Sequence, residues 1–143
     1  MSEQNEREKI MTSPMKEKFS KLCAKTSRYG EKNDCTVKAV AITCRTSYEN
    51  AHAACAAQGR RKGRGMYPSQ YHAAIAALGY TVKPVKLSTK GKTAGNVGAF
   101  LKGGFYLVTF RGHVAAFHGS VNCDWTAGRR HRVKSVYKVV KCS

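Results

Sequence analysis

Apolar residues recur along the chain with two different periods. In the first half the period is helical. Met15, Phe19, Leu22 and Cys23 fall at i, i+4, i+7 and i+8, one face of a short helix, and Ser13-Pro14 supplies its N-cap and first helical position. Val37, Val40, Ala41 and Cys44 form the inward face of a second helix over about 35–46, which Asn33 or Asp34 is placed to cap. Ser47 caps a third helix, with Tyr48, Ala51, Ala54 and Cys55 inward and Gly59 as its stop. Pro68 opens a fourth, with Tyr71, Ala74, Ile75 and Leu78 inward and Gly79 at its end.

In the second half the texture changes to short β-rich runs. Tyr80 to Leu87 reads as a strand that Pro84 confines to a sheet edge. Ser88 to Gly95 is a polar loop, and Val97 to Lys102 is one or two helical turns. Phe105 to Phe110, the turn signal Arg111-Gly112 and the return run His113 to His118 make a hairpin. Gly119-Ser120 turns again into Val121 to Trp125, Thr126 to Arg130 is a loop, and Val133 to Val140 is the last strand. Helices first and an antiparallel sheet second predict an α+β fold. Residues 1–28 form a tail (1–12) and a short amphipathic helix, and residues 29–143 a single domain without internal repeats.

Composition narrows the class. The 143 residues suffice for one buried core, and 42% hydrophobic content is in the globular range. No apolar run reaches membrane-spanning length, so no membrane partner is expected. Met1 to Lys9 lacks the apolar stretch of a secretory signal. The six cysteines contain no Cys-x-x-Cys and match no zinc spacing; they read as reduced, mostly small core residues, with no metal or cofactor expected.

Charge adds a further constraint. The net charge is +18, and residues 32–143 hold nineteen Lys/Arg against only Asp34, Glu49 and Asp124. Such a body attracts acidic proteins or polyanions. Arg60, Arg61, Lys62 and Arg64 in the loop Gly59–Gly65, and Arg129, Arg130 and Arg132 around His131, are the candidate anion contacts. Their simpler reading is solvated surface. Only Tyr67 and Trp125 lie nearby, so base stacking is unsupported.

One constellation carries chemistry. Cys35 stands where a polar loop turns into the second helix. A free thiol has a pKa of about 8.5, and a helix N-terminus or an imidazolium partner lowers it. Among the five histidines, only His113 sits on a glycine turn leading into small residues, where the backbone approaches a cysteine closely. Its second ring nitrogen needs an acceptor; Asp124 and Asn122 both qualify, and Asp124 is the stronger. The Cys35 backbone N–H and the Asn33 side-chain amide are candidate oxyanion donors, with helix capping the simpler role for Asn33. Taken singly, each residue has an ordinary structural reading; order, spacing and element type together point to a thiol hydrolase.

The blocks Asn33-Asp34-Cys35-Thr36-Val37-Lys38-Ala39, Tyr48-Glu49-Asn50-Ala51-His52, Gly63-Arg64-Gly65, Gly112-His113-Val114-Ala115-Ala116 and Asp124-Trp125 resemble the small papain-like proteins of tailed bacteriophages. Their core is similar to the bacteriocin-processing peptidase domain of peptide exporters. The resemblance covers roughly residues 29–140. It implies a papain-like cysteine peptidase fold, action in a host cytoplasm, Cys35 as nucleophile, His113 as general base and Asp124 as orienting residue. Larger papain-like peptidases carry an oxyanion glutamine several residues before the cysteine. No glutamine lies between Cys23 and Cys35, so that role falls to Asn33.

Two functions follow as expectations. The first is cleavage of a peptide or isopeptide bond in an acidic protein or peptide. The second is a non-catalytic papain-fold protein that binds a host nucleic-acid enzyme or nucleic acid through its basic loops. Acyl transfer to an amine uses the same site as hydrolysis. Sequence assigns neither a target nor an oligomeric state.

Overall fold

The structure is a computed structural model and describes residues 14–142. The tail at 1–12 and the cap expected at Ser13 lie outside the described residues. Helices α1 (Pro14–Arg28), α2 (Cys35–Thr43), α3 (Tyr48–Ala57) and α4 (Pro68–Ala77) come first. Strands β1 (Tyr80–Pro84), β2 (Phe105–Phe110), β3 (His113–His118), β4 (Val121–Asn122) and β5 (Ser135–Lys141) follow, with a 3-10 turn at Val97–Phe100. The strands form one antiparallel sheet in the order β1-β5-β2-β3-β4. The fold is α+β.

Sheet alternation divides the core into two layers. Phe105 and Leu107 of β2, Val114 and Ala116 of β3 and Val139 of β5 face the helices. Tyr106, Val108 and Phe110 of β2, with Ala115 and Phe117 of β3, face a second layer built from Ala94, Val97, Leu101 and Val133. Strand β2 is therefore buried along its whole length, which explains its unbroken run of apolar and β-branched residues. Main-chain bonds tie the second layer together, with Ala94 N–H donating to His131 O at 2.8 Å and Val133 N–H to Lys92 O at 3.1 Å, and join it to β2, where Lys134 N–H donates to Thr109 O at 2.8 Å. This pairing draws Val133 out of the last strand, which begins at Ser135. Strand β1 occupies the edge that Pro84, lacking an N–H, requires.

Helix α2 is the centre of the molecule. The pattern predicts one inward face; the structure buries Thr36, Val37 and every residue from Ala39 to Thr43. It is enclosed by α1, α3, α4 and the sheet. Small residues are frequent in this packing: Ala39 and Ala41 on the helix and Ala116 on β3 belong to the same buried cluster. Lys38 keeps its ammonium at the margin, 3.5 Å from Asp34 Oδ1 and 5.2 Å from the Phe19 ring centroid. Helix α1 packs on the same core through Leu22, and Lys18 Nζ donates to Ala41 O at 3.0 Å.

Two local features position the later site. Phe110 and His113 are register partners across the turn Arg111-Gly112, and Gly112 has φ +69°, a conformation favouring glycine. The strand expected over 121–125 stops at Asn122. Its side-chain Oδ1 accepts the Asp124 N–H at 2.9 Å, so a local turn replaces the sheet ladder.

Among the described glycines, Gly98 has the least room for a side chain. A Cβ there would lie 2.2 Å from Ser120 O. Gly98→Ala should lower stability by about 1–3 kcal/mol through overpacking, read as a decreased urea midpoint. An unchanged midpoint would show that this contact does not hold the second layer.

Candidate active site

Cys35 is the first residue of α2. The preceding Asp34 stands at the N-cap position, yet neither it nor Asn33 caps the helix through a side chain. Asp34 turns its carboxylate inward, where Oδ2 accepts the Thr26 hydroxyl at 2.7 Å and the Tyr48 hydroxyl at 2.8 Å. The uncapped first-turn N–H groups leave the positive end of the helix at the thiol.

His113 opens β3 beside this helix start. Both residues line one open cleft of about 730 Å³. The His113 Nε2 atom lies 2.7 Å from Asp124 Oδ2, which leaves Nδ1 as the ring nitrogen for the thiol. Asp124 is held in turn: Oδ2 also accepts the Thr126 N–H at 3.1 Å and the Thr126 hydroxyl at 2.9 Å. Asn122 supports the turn by donating Nδ2 to Thr126 Oγ1 at 3.0 Å. The imidazole has Phe110 stacked at 6.2 Å and Trp125 tilted at 5.0 Å between ring centroids.

These contacts shift both titrations toward an ion pair. Burial lowers the His113 pKa, but the hydrogen bond to Asp124 and the interaction with Cys35 outweigh it and raise the value to about 9. Burial pushes the Cys35 thiol up, while the His113 side chain, the Val114 backbone N–H and the Thr36 hydroxyl together hold it below the ordinary thiol range. The other buried thiols go the opposite way: burial raises Cys44 to about 12 and Cys55 and Cys123 to about 11. Cys35 thus differs from its neighbours in the direction of its shift.

The opposite wall of the cleft is the loop running from Gly59 to Tyr67, which contributes Arg61, Arg64 and Met66. A buried carboxylate anchors it. Glu31 accepts from Arg60 Nη1 at 2.8 Å, Arg60 Nη2 at 3.3 Å and the Gly63 N–H at 2.8 Å, and lies 2.7 Å from His52 Nε2. The Arg60 hydrogen bonds, with those of His52 and Gly63, hold the Glu31 carboxyl down at about 2 against the opposing effect of burial.

Several expected site residues fall elsewhere. Asn33 is corrected as an oxyanion donor: its Nδ2 donates to Gly63 O at 3.0 Å, and it lines a separate hollow with Lys32 and Lys62. Its left-handed backbone, φ +53°, suits asparagine and accounts for its presence. Arg60 is corrected as a surface contact, being only 7% exposed and committed to Glu31. Arg61 and Arg64 reach the cleft, whereas Lys62 lines the adjacent hollow. Arg129 and Arg130 line a third hollow with His131, and Arg132 is exposed beside them. Glu31, Thr126 and Lys134 contribute to the site or its walls without any motif to reveal them. Among the described residues, no cluster of His, Cys, Asp or Glu has the makeup of a metal site.

No protein-family model, curated protein or solved structure matches the chain.

The thiol–imidazole pair has a pH signature. The rate of Cys35 alkylation by iodoacetamide should reach half its maximum below the ordinary thiol value of about 8.5. Asp124→Asn removes the charge that favours imidazolium, so His113 should titrate lower and the profile should move toward that of a free thiol. Mass spectrometry of the Cys35 peptide reads both; identical profiles would refute the coupling.

Glu31→Gln leaves the Arg60 guanidinium buried beside a neutral amide, with an expected loss of about 3–5 kcal/mol. In the native chain the Glu31 contribution is present above its unfolded pKa of about 4.3 and fades as pH falls toward about 2. Urea unfolding at pH 7 and pH 3 measures both effects. Glu31→Gln should narrow the difference between the two pH values.

Proposed function

We propose that this chain is a papain-like thiol hydrolase that cleaves a peptide or isopeptide bond, phage-encoded and acting in a host cytoplasm. The observation that carries the catalytic reading is the single cleft in which Cys35, at a helix N-terminus, meets a histidine held by a buried carboxylate. A buried central helix against an antiparallel sheet, with the thiol on the helix and the imidazole on a strand, supports the papain-like assignment.

The reaction follows from the positions of the groups. The Cys35 thiolate attacks the substrate carbonyl carbon, and a new S–C bond forms as the carbonyl electrons move to oxygen. The Cys35 backbone N–H at the helix start is available to that oxyanion. When the C–N bond breaks, the His113 imidazolium gives its proton to the leaving amine, generating neutral imidazole. The same imidazole then takes a proton from water, whose oxygen attacks the thioester. Collapse releases the acid and restores the thiolate and imidazolium. Asp124 holds the ring in one orientation and stabilises its charged form throughout.

An aryl ester such as p-nitrophenyl acetate tests this reading without knowledge of the natural target. The expected result is a burst of nitrophenol, an acetyl group on Cys35 and slow turnover. Cys35→Ser should abolish the burst, and His113→Ala should reduce acylation by about 10²–10⁴-fold. The exposed Cys142 serves as an internal control. Acylation of Cys142 as fast as Cys35 would overturn the hydrolase reading in favour of a protein that acts by binding alone.

A further inference from the structure

Beside the thiol cleft lies a second hollow of about 530 Å³, lined by Lys32, Asn33, Lys62, Gly63, Arg64 and Gly65. It shares Arg64 and Gly65 with the cleft. Its cations have no compensating acid. Lys32, Lys62 and Arg64 form no salt bridge among the described residues, and all three are exposed. The neighbouring carboxylates are occupied on the inside of the fold, Glu31 by Arg60, His52 and Gly63, and Asp34 by Thr26, Tyr48 and Lys38.

The hollow is built rather than incidental. Glu31 and Asn33 each bond the backbone of Gly63, fixing the loop that carries Lys62 and Arg64 against the segment that carries Lys32. Gly63 (φ +78°) and Gly30 (φ +60°) take the left-handed backbone that favours glycine, and the Lys32 and Lys62 side chains lie beside them. Three unpaired cations around a concave surface concentrate positive potential there. No aromatic ring lines the hollow, so it offers no stacking platform for bases. Carboxylate side chains on a flexible backbone suit it better than a nucleic acid.

We propose that Lys32, Lys62 and Arg64 form a specificity subsite that takes Asp or Glu side chains on one side of the bond presented to Cys35. The substrate is thus a peptide segment with acidic residues flanking its cleavage point. This assignment rests on the thiol-hydrolase reading and adds the residues that select the substrate.

The test uses the full chain with Cys35→Ala and a fluorescent peptide of alternating Glu and Gly, compared with its Gln counterpart, by anisotropy near physiological salt. The Glu peptide should bind at least about tenfold more tightly, in line with one or two charge-assisted contacts. Lys32→Ala with Lys62→Ala should remove most of that preference. Lys83→Ala with Lys86→Ala, both exposed and outside the hollow, removes the same charge and should change binding less than twofold. In the wild-type chain the Glu peptide should slow alkylation of Cys35, and in the Lys32/Lys62 variant it should not.

Equal losses from the two lysine pairs would overturn the subsite in favour of diffuse electrostatics. So would equal binding of the Gln peptide, or tighter binding of a single-stranded oligonucleotide that depends on Lys32 and Lys62. The rate of Cys35 alkylation without peptide reads thiol activation by itself. A slow rate with peptide selectivity intact would sink the hydrolase reading and leave the acidic-peptide site standing.

Discussion

Everything at the candidate site depends on how closely α2 lies against β3. The thiol is on the helix and the imidazole on the strand, so their distance is set by the helix–sheet separation and not by any local turn. That separation is set by the buried layer between them, which includes Ala39 and Ala41 on the helix and Val114 and Ala116 on the strand. Overpacking in this layer would shift the helix against the sheet and so move Cys35 relative to His113.

Scarce negative charge is the second organising feature. Glu31, Asp34 and Asp124 are each buried, and each is committed to one internal task. Glu31 anchors the cleft loop through Arg60, Asp34 ties α1 to α3 through Thr26 and Tyr48, and Asp124 holds His113. Because these carboxylates point inward, the lysines and arginines around the cleft face solvent with little compensation. The same allocation therefore stabilises the interior and gives the outside its character. It also accounts for Asp34 not capping the helix, since its carboxylate is taken up by the Thr26 and Tyr48 hydroxyls and the Lys38 ammonium.

Local signals in the chain located most elements. Pro68, Ser47 and Gly112 mark boundaries that the structure keeps, since each acts within a few residues through a missing N–H, a side-chain cap or a positive φ. Two expectations failed because a side chain chose a distant partner. Asn33 was readable as a cap or an oxyanion donor, and Gly63, thirty positions away, takes its amide. Arg60 looked like its neighbours in a basic loop, and Glu31 withdraws it from the surface. The strand ends at Asn122 and Ser135 moved for other reasons, through a local side-chain turn in one case and a main-chain bridge between Thr93 and Arg132 in the other.

By itself, then, the order of residues determined the α+β succession, the helix start at Cys35 and the strand start at His113. These follow from periodicity and turn chemistry, which act over a few bonds. Tertiary structure decided which acceptor reaches the imidazole, which arginine is buried and which cations are left to face the cleft. Those outcomes depend on competition among partners far apart in the chain, and desolvation and hydrogen-bond geometry settle that competition only once the chain is folded.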